Sequence, residues 1–204
     1  MSVNHTAFVD FAINSLLHDG AIEKVSHKPH CVSPLGVVPK KDNKLRLVCD
    51  LRELNSSCIT PKFVYENIDS VLDLVEPGNQ FISADLKNGF HHVFVRGEYR
   101  KYLGIYWRGA YYQWRVLPFG LSFSPYFFCK ILKPVIQYLR EQGLKVVIFV
   151  DAILLIGSSN DIDILQNYFI AMPERFRLVY KARKVLSYTD NYTDNRNQFY
   201  WIYD

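Results

Sequence analysis

The most constraining feature of the sequence is a long apolar run, VVIFVDAILLIG (146–157), with one carboxylate, Asp151, near its centre. The segments VVIFV and ILLIG on either side have strand length, so they predict two β-strands joined at Asp151 and Ala152. A carboxylate buried alone is costly, so it must be protonated, paired or bound to a cation. The run therefore predicts buried strands that present one acid at their turn.

A second apolar strand also ends in an acid, because FISAD (81–85) finishes at Asp85. If the two strands are neighbours in one antiparallel sheet, Asp85 and Asp151 would lie close together and repel. A divalent cation relieves that repulsion, and hard carboxylate oxygens suit Mg²⁺. Each acid alone is also explained as a hydrogen-bonding residue at a turn. The pair, with a basic hairpin and an aromatic loop, favours a metal-dependent site for a phosphorylated substrate.

Composition narrows the class of protein. The 204 residues are 49% hydrophobic and 15% aromatic, which suits one large domain or two small lobes. The net charge of +4 is compatible with a polyanionic partner without establishing one. No apolar run reaches the roughly 20 residues that span a bilayer, so we expect no membrane segment. Four cysteines without C-x-x-C spacing, and no signal peptide, predict reduced thiols in an intracellular protein of the cytoplasm or nucleus.

Local patterns predict a mixture of helices and strands without regular βαβ alternation, which favours the α+β class. In the first part of the chain, the predicted elements are a helix from 6 to about 22 with Gly20 at its end, and strands 32–38 and 45–51 joined by a charged hairpin tip. A helix at 67–75 follows, and then a strand that breaks at 87–89 and continues as strand. The last predicted elements are two aromatic strands around Arg108 and Gly109, a loop 118–120, and a helix from Ser124 to about Gln142 that Gly143 ends. The chain after residue 158 is weakly periodic, and no element is predicted there.

Four blocks occur in the order found in reverse transcriptases. They are KKDNKLRLVCDLRELN (40–55), ADLKNGFHHV (84–93), LPFGLSFSPYFF (117–128) and FVDA (149–152). They resemble the finger hairpin, the first catalytic block, the L-P-x-G-x-x-x-S/A-P loop and helix, and the Y/F-x-D-D turn of that family. The resemblance covers roughly residues 20–157. The residues of these blocks look more like those of retrotransposon enzymes of the DIRS or gypsy type than like those of retroviral enzymes.

The resemblance implies an architecture and a reaction. The fold would be a single α+β reverse transcriptase domain over 1–204, with fingers at about 1–60 and 93–123 and a palm at about 61–92 and 124–204. It would be the right-hand polymerase architecture without a thumb. The reaction would be RNA-directed DNA synthesis from a retroelement Pol polyprotein. Its partners would be an RNA or DNA template with primer, deoxynucleoside triphosphates, and other polyprotein segments such as RNase H, recombinase or integrase.

The metal-binding residues carry over by position. Asp85 and Asp151 would hold two Mg²⁺ ions, for which Mn²⁺ is a substitute, and the main-chain oxygen of Leu86 would complete the nucleotide-side site. Bound there, the ions lower the pKa of the primer 3′-hydroxyl and support the leaving pyrophosphate.

The nucleotide-binding residues follow in the same way: Lys40, Lys41, Arg46, Phe90, Phe119 and Gly120. Arg46 and one of the two lysines would contact the triphosphate through charge-assisted hydrogen bonds. Phe90 resembles the steric gate, a ring under the sugar that excludes a 2′-hydroxyl. Phe119 and Gly120 would line the floor under the incoming base and sugar, where a glycine permits close backbone approach.

The chain departs from the family pattern at two places. Ala152 stands where the family has its second aspartate, which removes a ligand and predicts a polymerase that is severely impaired. In the tail, KARKVLSYTD (181–190) and QFYWIYD (198–204) take the places of a lysine-bearing turn and a primer-contacting hairpin, with Lys184 as the candidate lysine. The alternative function is a catalytically dead, nucleic-acid-binding pseudoenzyme derived from a retrotransposon. A decayed copy, a polyprotein fragment and a domain kept for another purpose all fit this sequence.

Overall fold

The computed structural model describes residues 3–40, 44–64, 66–86, 88–149, 152–158, 160–161, 164, 167 and 180–187. The chain divides into two units, which are unit 1, Met1–Pro61 with Phe90–Pro125, and unit 2, Lys62–Gly89 with Tyr126–Asp204. The mixed arrangement of helices and antiparallel strands confirms the predicted α+β class. Within the described ranges, no helix combines the length and apolar character that a bilayer-crossing segment requires.

The described helices are α1 (Val3–His18), α2 (Arg52–Ser56), α3 (Ile68–Leu72), α4 (Gly97–Arg100) and α5 (Ser124–Glu141). The described strands are β1 (Ile22–Val25), β2 (Val32–Ser33), β3 (Leu35–Pro39), β4 (Leu45–Cys49), β5 (Asn79–Leu86), β6 (Gly104–Trp107), β7 (Ala110–Trp114), β8 (Lys145–Phe149), β9 (Ala152–Ser158) and β10 (Tyr180–Ser187). A short 3₁₀ helix covers Gly89–His92.

The first helix of unit 1 ends earlier than the sequence predicted. Gly20 adopts φ +67° and donates its N–H to Leu17 at 3.0 Å, and the Ala21 N–H donates to Leu16 at 2.9 Å. These two bonds form a Schellman cap, which stops α1 at His18. The predicted extension to about residue 22 is therefore wrong, because Ile22 already begins strand β1.

Two sheets build unit 1. One has the strand order β1-β7-β6-β2, and the other is the hairpin of β3 and β4. The single strand predicted over 32–38 is divided, because Val32–Ser33 pairs with β6 while Leu35–Pro39 pairs with β4. Arg108 and Gly109 join β6 to β7 with φ values of 44° and 77°, as a two-residue hairpin turn requires. Asp10 of α1 accepts a hydrogen bond from Trp107 Nε1 at 2.8 Å and pairs with Arg108 at 3.0 Å, so the hairpin tip is fastened to the helix.

The segment that follows Asn88 is not the continued strand that its aromatic and β-branched residues predicted. Asn88 has a left-handed backbone with φ 50°, and the chain then enters the 3₁₀ helix Gly89–His92. In this stretch of the described chain, strand pairing is limited to one isolated bridge, between Phe94 and Val116. The local turn overrides strand propensity because it places Phe90, which is 7% exposed, against other aromatic rings of unit 1.

The sheet of unit 2 has the order β10-β5-β9-β8, with every pairing antiparallel. Strand β9 is central, and four successive residues from Ile153 to Ile156 are buried. That position explains its continuous apolar sequence, because both of its faces are covered. Strand β10 was not predicted, since its residues YKARKVLS lack a clear alternation.

Helix α3 covers one face of this sheet. Asn67 caps it by accepting the Ser70 N–H at 3.2 Å, while the Ser70 hydroxyl accepts the Asn67 N–H at 3.3 Å. Val71 then packs in a core cluster that also contains Phe81, Val147, Leu154 and Ile156. The helix predicted over 67–75 is confirmed in shortened form.

Gly104 is the tightest glycine among those described in unit 1. It faces Val32 across the parallel pair of β6 and β2, and a Cβ built on it would lie under 3.0 Å from the Cys31 carbonyl oxygen and the Pro29 ring. We predict that Gly104→Ala destabilises the protein by about 1–3 kcal/mol, since neither backbone nor a proline ring can move aside cheaply. A shift of the urea denaturation midpoint measures it.

Gly97→Ala is the matched control. Gly97 opens α4, and a Cβ there meets nothing within 4 Å, so this change is expected to be neutral or to stabilise by about 0.4–1 kcal/mol. Equal midpoints for the two variants would contradict the steric account of Gly104.

Candidate functional site

The pairing of β5 with β9 gives the first part of the candidate site. Its register runs from Asn79 opposite Ser158 to Asp85 opposite Ala152, and Ala152 also faces Phe149 of β8. Strand β5, which contains Asp85, and strand β9, which begins directly after Asp151 in the sequence, are therefore neighbours in one antiparallel sheet, the condition under which the sequence analysis expected the two acids to lie close together. Asp151 lies outside the described residues. Leu86 faces Tyr180 of β10, at the end of the same strand as Asp85.

The outer edge of β8 is covered by two charged side chains. Glu66 accepts the Ile148 N–H at 2.9 Å, and Arg140 donates to the Val146 carbonyl at 2.6 Å. The two side chains also form an ion pair at 2.5 Å. They satisfy edge groups that would otherwise be open to another strand, and they fasten the strand that leads into residues 150 and 151. Sequence analysis did not single out either residue.

The predicted triphosphate-binding hairpin of unit 1 presents its described cations to solvent. The Lys40 N–H donates to the Lys44 carbonyl at 2.7 Å, which closes the hairpin, and Arg46 faces Val38 across the pair. Lys40 and Arg46 are exposed, and within the described part of the chain neither has an acidic partner. Lys41 lies outside the described residues. Lys40 and Arg46 are thus available to an anionic ligand.

Phe90 and Phe119 belong to one aromatic cluster in unit 1. Their ring centroids are 5.0 Å apart, and His91 lies 5.4 Å from Phe119 and 5.6 Å from Trp114. Phe90 is 7% exposed, whereas Phe119 is 47% exposed. The cluster therefore brings two of the predicted nucleotide-binding residues together, with one ring held inside and the other open to solvent.

His91 contributes an imidazole to this cluster that favours the neutral state. Burial lowers its pKa, partly offset by the carboxylate of Asp19, and the neighbouring His92 lowers it further. Its Nε2 is buried, and in the described part of the chain that atom has no hydrogen-bond partner. At neutral pH the side chain therefore acts as a flat packing group for Phe119 and Trp114.

Gly120 lies in the loop between Leu117 and helix α5. Its φ of +92° is a backbone conformation that residues with a side chain rarely adopt. A Cβ at this position would lie 3.7 Å from the Cys49 carbonyl oxygen. Asn55 of α2 donates from Nδ2 to the Gly120 carbonyl at 2.8 Å. Sequence analysis quoted Asn55 only as the last residue of a block and gave it no role.

The base of α2 is also held by charge. Arg52 donates to both carboxylate oxygens of Asp50, at 2.9 and 2.6 Å. These hydrogen bonds lower the pKa of Asp50 to about 2, so the carboxylate stays ionised. Both groups are exposed, so the pair orders the entry to the helix more than it stabilises the fold.

Lys184 does not lie in a turn, contrary to the sequence-based expectation. It belongs to strand β10 and faces Ser83 of β5, two residues before Asp85. The backbone hydrogen-bonding capacity of β5 requires a partner on this side, and β10 supplies it. The segments 188–190 and 198–204 of the predicted tail lie outside the described residues.

These features are typical of one class of protein. An α+β fold with a basic hairpin, an aromatic loop and an antiparallel sheet that has an acid at a strand end is the pattern of fingers-and-palm polymerases. Comparison with known families agrees. The family model described as reverse transcriptase (RNA-dependent DNA polymerase) matches residues 38–182. The chain belongs to the reverse transcriptase family.

Curated relatives of this chain include Pol polyproteins of transposons. The retrovirus-related Pol polyprotein from transposon gypsy of Drosophila melanogaster is 33% identical over 164 residues, which are 76% of this chain and 15% of that polyprotein. The Pol polyprotein from transposon 297 of the same organism is 27% identical over 164 residues, covering 78% of this chain and 15% of the relative. The chain thus spans 15% of the length of these two polyproteins.

Solved structures support the fold. The foamy viral protease-reverse transcriptase in complex with an RNA/DNA hybrid has a TM-score of 0.74 at 21% identity, covering 96% of this chain and 26% of that chain. The same enzyme in complex with dsDNA has a TM-score of 0.73 at 23% identity, covering 91% and 38%. At these identities the likeness concerns the fold, and it confirms the predicted palm-and-fingers architecture.

Proposed function

We propose that this chain is the fingers-and-palm part of an RNA-directed DNA polymerase from a retroelement Pol polyprotein. Unit 1 corresponds to the fingers, predicted at about 1–60 and 93–123, and unit 2 to the palm, predicted at about 61–92 and 124–204. The reaction is template-directed transfer of deoxynucleotides to a primer 3′-hydroxyl. Its partners are an RNA or DNA template with primer, deoxynucleoside triphosphates, and further polyprotein segments.

The observation that carries this proposal is the register of β5 with β9. Asp85 pairs with Ala152, and Ala152 is the residue that directly follows Asp151 in the sequence. Opposite residues of an antiparallel pair have Cβ atoms about 4.5–5.5 Å apart. The strand pairing therefore supports a role in which both acids serve one site at the end of the sheet.

The donor set fits divalent cations of the Mg²⁺ or Mn²⁺ type. Asp85, Asp151 and the Leu86 main-chain oxygen offer hard oxygen ligands only, which Mg²⁺ and Mn²⁺ prefer. When bound, two such ions lower the pKa of the primer 3′-hydroxyl and stabilise the leaving pyrophosphate. The contribution of the chain would be to bring the two carboxylates to the end of one sheet.

In unit 1, Arg46 with Lys40 or Lys41 binds the triphosphate, and the exposure of the two described cations supports this role. Phe119 and Gly120 form the floor for base and sugar. Phe90 is the sugar gate, and the contact of its ring with Phe119, at 5.0 Å between centroids, supports a defined position for it.

Ala152 impairs this reaction. The family pattern has a second carboxylate at that position, and the methyl group of alanine supplies neither charge nor a ligand. With one fewer carboxylate at the site, the affinity for a divalent cation would fall, and the rate of nucleotide transfer would fall with it. The chain retains Asp85 and Asp151, so metal binding weakens without disappearing.

The second candidate function is binding of nucleic acid without catalysis. Ala152 favours it, since the loss affects the chemical step while the exposed cations of the finger hairpin remain. Template–primer binding with normal affinity, in the absence of extension, distinguishes this candidate from an impaired polymerase.

Ala152→Asp tests the proposed function. We predict that the purified full chain extends a primed RNA or DNA template slowly with Mg²⁺ or Mn²⁺, and that Ala152→Asp raises the rate by roughly two orders of magnitude or more, a size typical of restored electrostatic stabilisation. Primer extension under single-turnover conditions measures the rate.

Ala152→Asn is the matched control, because it restores the size of the side chain without its charge. Equal extension rates for the parent and Ala152→Asp would contradict the assigned role of position 152. If neither Ala152→Asp nor the parent extends a primer that it binds, the pseudoenzyme becomes the better account.

Phe90→Val tests the sugar gate in the Ala152→Asp background. The smaller side chain opens space under the sugar, so we predict that the preference for deoxynucleotides over ribonucleotides falls by roughly tenfold or more. The ratio of kcat/KM values for the two sugars measures the effect, and this ratio is independent of how much protein is folded.

Phe128→Val serves as the control for general destabilisation. Phe128 is 1% exposed and lies outside the proposed nucleotide-binding residues, so the change should lower stability and leave the sugar ratio unaltered. An unchanged ratio for Phe90→Val would remove Phe90 from the gate role.

A further inference from the structure

Asn55 makes two hydrogen bonds to the backbone of a loop that is distant in sequence. Its Nδ2 donates to the Gly120 carbonyl at 2.8 Å, and its Oδ1 accepts the Ser122 N–H at 2.8 Å. The partners are 65 and 67 residues away along the chain. Both ends of one amide group are therefore satisfied by the loop that contains the proposed nucleotide floor.

The same loop is fastened at two further points. The buried Ser124 hydroxyl donates to the Pro118 carbonyl at 3.1 Å, and the Thr60 hydroxyl donates to the Ser122 hydroxyl at 2.9 Å. Neither of these bonds involves Gly120 itself. Among these three side chains, Asn55 is the one that bonds to Gly120 itself, the residue of the left-handed turn, where φ is +92°.

Asn55 is itself well anchored. It lies in α2, where its N–H donates to the Leu51 carbonyl at 2.8 Å, and Leu51 is 3% exposed. A Cβ on Gly120 would meet Leu51 Cδ1 at 3.9 Å, so the helix entry and the loop are in close contact. The clamp therefore links the exposed Gly120 to a short helix that follows directly on the buried Leu51.

The chemistry of the clamp requires an amide. A carboxylate of the same shape accepts from the Ser122 N–H but cannot donate to the Gly120 carbonyl, and two facing oxygens repel. Alanine makes neither bond and leaves two backbone groups without their partner. Glutamine carries its amide one carbon further out, so it cannot keep both distances.

We propose that Asn55 is a positioning residue for nucleotide binding, which holds Phe119 and Gly120 in the conformation that forms the floor under the incoming base and sugar. This inference rests on the proposed function, because it gives that loop its nucleotide-binding role. Asn55 acts through the loop backbone and needs no contact with the nucleotide. Its loss should weaken nucleotide binding while template–primer binding stays the same.

The test uses the full chain carrying Ala152→Asp, with Asn55→Ala and Asn55→Asp added separately. Nucleotide affinity is measured in a complex with a chain-terminated primer, so that no chemistry is needed, and KM and kcat are measured with an extendable primer. We expect the nucleotide Kd and KM to rise about tenfold or more for both variants, with a smaller change in kcat, as the loss of two hydrogen bonds implies.

A merely structural role gives a different result. A variant that is partly unfolded loses active enzyme, which lowers the apparent kcat and leaves KM unchanged. Asn14→Ala is the matched control, because Asn14 is an exposed asparagine of α1 and should alter neither constant. The Asn55→Asp variant keeps the side-chain volume, so it decides the question if Asn55→Ala fails to fold.

Failure of the inference and failure of the proposed function are separable. If the parent chain binds nucleotide and both Asn55 variants bind it equally well, the positioning role is wrong and the proposed function stands. If the Ala152→Asp chain with Asn55 intact binds template–primer but no nucleotide, the polymerase proposal is wrong and the role of Asn55 falls with it.

Discussion

The antiparallel pairing of β5 with β9 is the constraint on which unit 2 depends. Both strands are internal to the sheet, and their register from Asn79–Ser158 to Asp85–Ala152 decides which residues face the core under α3. A slip of one residue would turn every side chain of a strand to the opposite face, so Leu154 and Ile156 would leave the cluster around Val71. The same register sets Asp85 against Ala152, so core packing and the position of the acid are fixed by one arrangement.

Much of this fold could be predicted from the sequence, for identifiable reasons. β8 and β9 follow from uninterrupted apolar runs, and the β6–β7 turn follows from Arg108–Gly109. The 3₁₀ helix at Phe90 could not be predicted, because tertiary contacts with Phe119 outweigh strand propensity there. Strand β10 also escaped prediction, since it depends on pairing with a strand about a hundred residues away in sequence rather than on a pattern of its own.

The candidate site shows the same division between local and distant signals. Asp85, Phe90 and Gly120 could be proposed as site residues from the sequence because they stand in blocks with recognisable spacing. Sequence analysis missed Asn55, Glu66 and Arg140. Asn55 bonds to backbone groups 65 or more residues away along the chain, and Glu66 and Arg140 bond to edge groups of β8. Such partners satisfy main-chain atoms, which leave no trace in residue patterns. Among the described residues, Ala152 thus lies in a sheet that keeps its strand pairing and the hydrogen bonds along the edge of β8.

The central claim is that Asp85 and Asp151 hold divalent cations at the end of this sheet, and Mn²⁺ binding followed by electron paramagnetic resonance tests it most directly. Titration of the full chain should detect bound Mn²⁺, with affinity reduced roughly tenfold or more by Asp85→Asn or Asp151→Asn and increased by Ala152→Asp. Asp73→Asn, at an exposed carboxylate of the C-terminal end of α3, should leave the affinity unchanged. Binding that is equal in the parent and in both aspartate variants would contradict the account.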